Sequence, residues 1–206
     1  MSKVLIINAS ARKARSISRY MTNVFVELWE QRNPSDTFIY RELGQDNIPH
    51  VTEEWIIGAF KPSELRDAGD MDALKISDQL VAELKDADIV VIGTPMYNWS
   101  VPSVLKAYID QVLRVNETVL VSKENIKNPY TGLLHDKKVF LLMVRGNMGY
   151  DIGDFYEHMD FQTKYLKTVF GILGIDDVSH VALNGSALGE DSLALAKEKV
   201  EQLLNN

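Results

Sequence analysis

A run of branched apolar residues at 89–92 constrains the fold of this chain more than any other stretch. Ile89-Val90-Val91-Ile92 shows no polar alternation and ends abruptly at Gly93, Thr94 and Pro95. Such a run is typical of a strand that is buried on both faces, as in a parallel sheet covered by helices. Because ligands of open parallel sheets bind beyond the carboxyl ends of the strands, the run also predicts a ligand site at residues 95–99.

The rest of the chain alternates apolar strands with amphipathic helices, which predicts an α/β fold. The other strands are expected at 3–8, 37–40, 138–144 and 178–183, and the helices at 17–32, 71–85, 102–113, 155–173 and 191–204. With right-handed crossovers, this pattern predicts a doubly wound sandwich. Its five-stranded parallel sheet has the order 2-1-3-4-5, and helices cover both faces. No repeat or linker interrupts the pattern, so residues 1–206 are expected to form a single domain.

Two long segments do not fit the alternation. Residues 43–70 mix several Gly and Pro with apolar side chains, and residues 114–137 contain a short candidate hairpin arm at 118–121. Irregular segments of this length with apolar side chains of their own are more often functional or interfacial than simple connections. We therefore expect them to contribute to a subunit interface.

Composition excludes several classes of protein. The chain of 206 residues has no cysteine, which rules out disulfides, thiolate nucleophiles and cysteine-ligated metals and is consistent with a cytoplasmic location. Its formal net charge of -7 argues against general nucleic-acid binding. No apolar run approaches the length of a membrane span, so no membrane association is expected.

The loop after the first strand concentrates hydroxyls and positive charge at a helix start. Its hydroxyls and cations are Ser10, Ser16 and Ser18, and Arg12, Lys13, Arg15 and Arg19. Free N–H groups and the helix dipole favour an anion there, although serines that merely cap the helix are the alternative interpretation. The loop has neither G-x-x-x-x-G-K-[ST] nor G-x-G-x-x-G. These absences argue against a nucleoside triphosphatase and a Rossmann dinucleotide site, so the phosphate of a mononucleotide fits better.

Two further strand ends are predicted to meet this loop at one crevice. Met96, Tyr97 and Trp99 are flat or polarisable groups that can flank a planar ring, although aromatic residues in such a loop are often core or interface residues. The glycines of the turn at 145–149 allow the backbone to approach a ligand closely.

These motifs together resemble the FMN-dependent NADH-azoreductase and quinone reductase family of flavodoxin-like homodimers. The resemblance rests on Ser10, the Ser16-Ile17-Ser18 loop, Pro95-Met96-Tyr97-Asn98-Trp99 and the Arg145-Gly146 turn. Where the family usually has Ser-Arg-Gly-Gly, this chain has Val144-Arg145-Gly146-Asn147. The resemblance implies FMN bound by Ser10, Ser16, Ile17, Ser18, Pro95, Met96, Tyr97, Asn98, Trp99, Val144, Arg145, Gly146 and Asn147.

The resemblance also implies the chemistry. NADH or NADPH passes hydride to the flavin N5 and leaves, and a quinone or azo compound then takes two electrons in a ping-pong scheme, with no catalytic side chain required. A flavodoxin-type electron carrier, a free-flavin reductase and a flavin-free sensor remain as alternatives. The four histidines are scattered and no G-x-S-x-G motif is present, so neither a metal site nor serine hydrolysis is expected.

Overall fold

The computed structural model describes residues 1–188 and 191–205, and a five-stranded parallel sheet lies at its centre. The strands are β1 (Lys3–Asn8), β2 (Thr37–Glu42), β3 (Ile89–Pro95), β4 (Val119–Val121), β5 (Tyr130–Gly132), β6 (Lys138–Val144) and β7 (Asp177–Leu183). The sheet order is β2-β1-β3-β6-β7, while β4 and β5 form a separate antiparallel hairpin. The predicted order 2-1-3-4-5 is thus confirmed, since the hairpin strands only shift the numbering.

Helices cover both faces of the sheet, as predicted. They are α1 (Ile17–Arg32), α2 (Glu53–Phe60), α3 (Ala68–Asp86), α4 (Ser103–Val112), α5 (Phe161–Leu173) and α6 (Ser192–Asn205). One apolar cluster packs α3, α4 and α5 on one face, and a second packs α1 and α6 on the other. In the described part of the chain, no helix is long and apolar enough to cross a membrane.

The central strand β3 joins the two apolar clusters. Val90 and Ile92 belong to the cluster under α3, α4 and α5, whereas Ile89 and Val91 belong to the cluster under α1 and α6. Alternate side chains of one strand therefore bury themselves against opposite helical layers, which explains the unbroken apolar run. The predicted order also places the second strand at an edge of the sheet, and in the described chain β2 indeed pairs with β1 alone.

Residues 43–70, expected to be irregular, contain the helix α2. Thr52 caps it, because its side chain accepts a hydrogen bond from the N–H of Trp55 at 3.3 Å. Gly58 in its middle looks like a helix breaker in the sequence. In the structure a Cβ at Gly58 would stand 3.3 Å from atoms of Asp70 and Leu74, so glycine allows α2 to approach α3 closely. The close contact between the two helices explains why a glycine occupies this position, although its helix propensity is low.

The predicted start of the fifth helix at residue 155 is wrong. The helix α5 begins at Phe161, after turns and a short 3₁₀ helix at Glu157–Met159. Asp160 ends the irregular stretch, because its carboxylate accepts the N–H of Thr163 at 3.0 Å and the guanidinium of Arg145 at 2.9 Å. The bond to Arg145 is a distant contact, which the local sequence pattern does not reveal. The hairpin arm expected near 118–121 is confirmed by the pairing of Val119–Val121 with Tyr130–Gly132.

Candidate functional site

The carboxyl ends of β1, β3 and β6 meet at one cleft. Adjacent pairing brings Asn8 beside Gly93, and Pro95 beside Val144, so the three following loops start side by side. The cleft has a volume of about 200 Å³. It is lined by Ser10, Arg12, Arg15, Ser16, Ile17, Ser18, Pro95, Met96, Tyr97, Val144, Gly146, Ser186 and Ala187.

One end of the cleft is built from the hydroxyls at the start of α1. Ser16 caps the helix, accepting the N–H of Arg19 at 3.2 Å, and its Oγ lies 3.2 Å from the Oγ of Ser18. Ser10 is buried as well, and its Oγ accepts the N–H of Arg12 at 3.2 Å. The first N–H groups of the helix, including those of Ile17 and Ser18, have no preceding carbonyl to bind. This end of the cleft therefore offers clustered donors to an anion.

A network of side chains holds the loop in this shape. The guanidinium of Arg19 donates to the carbonyl oxygens of Arg12, at 2.6 Å, and Lys13, at 3.2 Å, and forms an ion pair with Glu42 at the end of β2. Glu42 also accepts the side-chain amide of Asn8 at 2.7 Å. The positive charge of Arg19 is thereby used to shape the loop. Arg12 and Arg15 stay exposed at the cleft, without an ion-pair partner in the ranges that the structure describes.

The aromatic loop forms the opposite end of the cleft. Met96 donates its N–H to the carbonyl of Val144 at 2.7 Å, which ties the loop after β3 to the end of β6. Tyr97 and Ser100 close a tight turn with two reciprocal hydrogen bonds of 3.0 Å. Between them, Asn98 and Trp99 have positive φ angles of 47° and 66°. Backbone strain of this kind in non-glycine residues is often found at ligand sites.

The structure separates two residues of this loop from the cleft. Pro95, Met96 and Tyr97 line it, whereas Asn98 and Trp99 lie outside its lining. Trp99 is about half exposed, with 47% of its surface accessible, and its carbonyl accepts the N–H of Phe161 at 3.2 Å. Trp99 is therefore an exposed residue whose backbone ties the aromatic loop to the start of α5.

The third turn divides its residues in the same way. Val144 and Gly146 line the cleft, but the side chain of Arg145 faces away and is only 2% exposed. The side-chain oxygen of Asn147 accepts the N–H of Met148 at 2.9 Å, so this amide stabilises the turn.

Sequence reasoning missed two residues of the lining, Ser186 and Ala187. Ser186 donates its N–H to the carbonyl of Arg145 at 3.1 Å, and Ala187 donates to that of Gly146 at 3.0 Å. They follow β7, whereas the sequence motifs predict the site only at the ends of the first, third and fourth strands of the sheet. The Asn184-Gly185-Ser186 sequence directly after an apolar strand is the signal that points to a fourth loop. Within residues 1–188 and 191–205, no group of three His, Asp or Glu side chains is arranged to hold a metal ion.

A doubly wound parallel sheet with its cleft at the carboxyl ends of the first and third strands defines a flavodoxin-like α/β protein. A family model described as flavodoxin-like fold matches residues 2–205, and the chain belongs to this family.

Relatives in the family carry enzyme names. The chain is 42% identical to "FMN-dependent NADH:quinone oxidoreductase 1" of Trichormus variabilis, over 98% of this chain and 95% of that protein. It is 40% identical to the protein of the same name from Pseudomonas fluorescens, over 99% and 97% of the two chains. An FMN-dependent NADH-azoreductase from Bacillus anthracis, solved in complex with FMN, superposes with a TM-score of 0.87 at 25% identity, covering 100% of this chain and 98% of that one. The resemblance found in the sequence is thereby confirmed.

Proposed function

We propose that this protein is an FMN-dependent NAD(P)H oxidoreductase that reduces quinones and aromatic azo compounds by ping-pong two-electron transfer. The observation that carries the proposal is the single cleft where the loops after β1, β3 and β6 converge, with a hydroxyl-rich anion site at one end and an aromatic loop at the other. Relatives of 42% and 40% identity over nearly the whole chain bear the names of FMN-dependent NADH:quinone oxidoreductases, which favours an enzyme over an electron carrier.

The residues of the cleft fit the phosphate of FMN. The hydroxyls of Ser10, Ser16 and Ser18 are buried in the cleft wall, where they have few other partners and little contact with water. Ser16 accepts the N–H of Arg19 and lies 3.2 Å from the Oγ of Ser18, so one of these two hydroxyl protons can bind the other serine while the second remains available to a phosphate oxygen. Arg12 and Arg15 add positive charge at the same end. We assign phosphate binding to these hydroxyls together with the first N–H groups of α1.

The ring of the flavin would lie between the aromatic loop and the 144–147 turn. Bound FMN supplies the two-electron chemistry that the protein side chains lack. The chain orients it, because the Met96 N–H to Val144 bond fixes both walls relative to each other. Backbone groups of the loop from Met96 to Trp99 and of the turn from Val144 to Asn147 would hold the ring. Asn98, Trp99, Arg145 and Asn147 then act through their backbone or by shaping the turns.

We further propose a cytoplasmic homodimer in which residues 1–206 form a single flavin-binding domain. The cleft volume of about 200 Å³ is smaller than the roughly 300–1,000 Å³ typical of small-molecule pockets, and a second copy packed beside it would enclose a larger site. The exposed side chains of Ile57 and Phe60 on α2, and of Trp99 and Phe161 beside the cleft, supply apolar surface for a second copy. A monomer in sedimentation velocity, with FMN present, would contradict this assembly.

The function is tested with a spectrum and two acceptors. The purified protein is incubated with FMN, freed of excess ligand and examined for a bound flavin absorption band. NADH or NADPH oxidation is then followed with menadione and with methyl red, and parallel double-reciprocal lines are expected for a ping-pong scheme. A protein that binds no FMN refutes the cofactor assignment, whereas one that binds FMN without oxidising NADH or NADPH is an electron carrier.

A further inference from the structure

A second and larger cavity lies along the free edge of the sheet. Its volume is about 550 Å³, and it is bounded by β7, α5, α6 and the residues before α5. It shares no lining residue with the cleft, but the two adjoin at one turn, where Val144 and Gly146 face the cleft and Arg145 faces this edge cavity. This edge cavity is the space between Arg145, Lys167, His180 and Lys199.

The charges around the edge cavity do not cancel. Its permanent cations are Arg145, Lys164, Lys167 and Lys199, and its carboxylates are Asp151, Glu157 and Asp160. Two of the carboxylates are already paired, because the guanidinium of Arg145 binds Asp151 at 3.0 Å and Asp160 at 2.9 Å. Glu157 accepts the N–H of Gly153 at 2.9 Å. Three ammonium groups are therefore left facing one carboxylate.

Two of these ammonium groups have no ion-pair partner among the described residues, and one N–H donor of the guanidinium has no acceptor there. Lys167 on α5 and Lys199 on α6 form no ion pair within the described ranges, although they line the same cavity from opposite sides of β7. Arg145 is buried, and its Nε has no acceptor among the described residues. In a chain of net charge -7, such a group of cations is a local exception.

His180 of β7 senses the resulting potential. His180 lies at the exposed rim of the cavity, but its pKa is lowered because neighbouring side chains displace part of the water around the imidazole, and because Lys167 and Arg145 repel a further positive charge. Asp160 and Asp151 oppose the effect only partly. The other lining residues are Thr163, whose hydroxyl binds Arg145, and the apolar side chains of Tyr150, Val181 and Ala182, with the exposed Ile152 at the rim.

We propose that the edge cavity binds a small organic anion, a carboxylate carried on an apolar ring, with its charge between Lys167, Lys199 and His180. The ring would pack on the apolar wall, where burial of its surface adds to the electrostatic attraction. In this geometry, protonation of His180 increases the affinity of the site for the anion. In turn, a bound anion favours the protonated imidazole. The site is separate from the flavin cleft and does not depend on the proposed enzymatic function.

The test uses the four histidines as reporters. The imidazole resonances of the FMN-loaded protein are titrated with pH by NMR, with and without benzoate as the probe. A His180→Asn variant assigns the His180 resonance. We expect benzoate to raise the pKa of His180 by about one unit, as a neighbouring opposite charge does. We also expect benzoate to bind more tightly at pH 6 than at pH 8, while His50 and His135 outside the edge cavity do not respond.

Matched pairs of lysine variants test which positive charges bind the carboxylate of benzoate. Lys167→Gln combined with Lys199→Gln is expected to abolish the response of His180 to benzoate. Lys123→Gln combined with Lys127→Gln removes the same charge from two exposed lysines between β4 and β5 that do not line the edge cavity, and it is expected to preserve the response. An unmoved His180 at millimolar benzoate, equal movement of His50 and His135, or the same response to neutral benzyl alcohol would each overturn the proposal.

Discussion

Replacing Gly93 by Ala should displace the hydroxyl loop while leaving the composition of the cleft unchanged. A Cβ at Gly93 would stand 2.6 Å from the Cγ2 of Thr22 and 2.7 Å from the backbone oxygen of Ser18. The Thr22 methyl cannot easily turn aside, because its Oγ1 lies 2.8 Å from the side-chain oxygen of Asn8 and 2.8 Å from the carbonyl of Arg19. The first turn of α1 must therefore move away from the sheet.

The size of that movement follows from ordinary contact distances. Restoring 3.4 Å to the Ser18 oxygen requires a displacement of about 0.7 Å, which carries the hydroxyls of Ser16 and Ser18 with it. Overpacking of this kind costs roughly 1–3 kcal/mol of folding stability. Loss of one hydrogen bond to a charged phosphate costs about 1.5–3 kcal/mol, so the dissociation constant for FMN should rise about tenfold or more.

Two measurements and one control test this reasoning. Urea unfolding of the FMN-free protein gives the stability, and quenching of FMN fluorescence gives the dissociation constant. Gly171→Ala is the control, because nothing lies within 4 Å of its added Cβ in α5. It should leave FMN binding unchanged and stabilise the helix by about 0.5–1 kcal/mol. A Gly93→Ala protein with unchanged stability and FMN affinity would refute the argument, and a loss of stability alone would show that the hydroxyls do not follow the strain.

Three further perturbations probe the loops and the acid stability. Ser16→Ala with Ser18→Ala should weaken FMN binding at least tenfold and cost about 1 kcal/mol for the lost helix cap, whereas Ser16→Thr keeps the hydroxyl and most of the affinity in the same fluorescence titration. The pKa of Asp70 is lowered, first by its hydrogen bond to Lys61 and then by its bond to a backbone N–H. Because the folded pKa of Asp70 lies below the ordinary value of 3.8, the stability that its ionised carboxylate contributes is complete above about pH 4. This stability is lost as the pH falls through the folded pKa. Asp70→Asn should therefore flatten the decline of the urea midpoint in acid, and an unchanged slope would contradict the assignment. Asn98 has a φ of 47°, so Asn98→Gly should keep the unfolding free energy within about 0.5 kcal/mol, while Asn98→Ala should lose about 1 kcal/mol; equal values would show that the loop relaxes.

Local pattern was enough to predict the parallel sheet and the loops of the cleft. Branched apolar runs such as Ile89–Ile92 are buried on both faces of any sheet that helices cover, so their periodicity alone identifies central strands. Hydroxyls at a helix start, as at Ser16, have a local role that is visible in the sequence, and the structure shows the expected cap.

Contacts between distant segments decided the rest. Glycine usually disfavours helices, yet Gly58 lies inside α2 because α3 packs closely against it. The start of α5 depends on the ion pair between Arg145 and Asp160. The loop after β7 lines the cleft because its backbone N–H groups bind the carbonyls of residues 145 and 146. These hydrogen bonds depend on the pairing of β6 with β7. The sequence by itself thus determined the layers and three of the four loops that line the cleft, because these depend on periodicity and on local capping. The correct strand order was predicted from the flavodoxin-like arrangement and not from periodicity. Only the tertiary structure decided that the Arg145 side chain turns away from the cleft into the edge cavity, because its partners lie on three other segments of the chain.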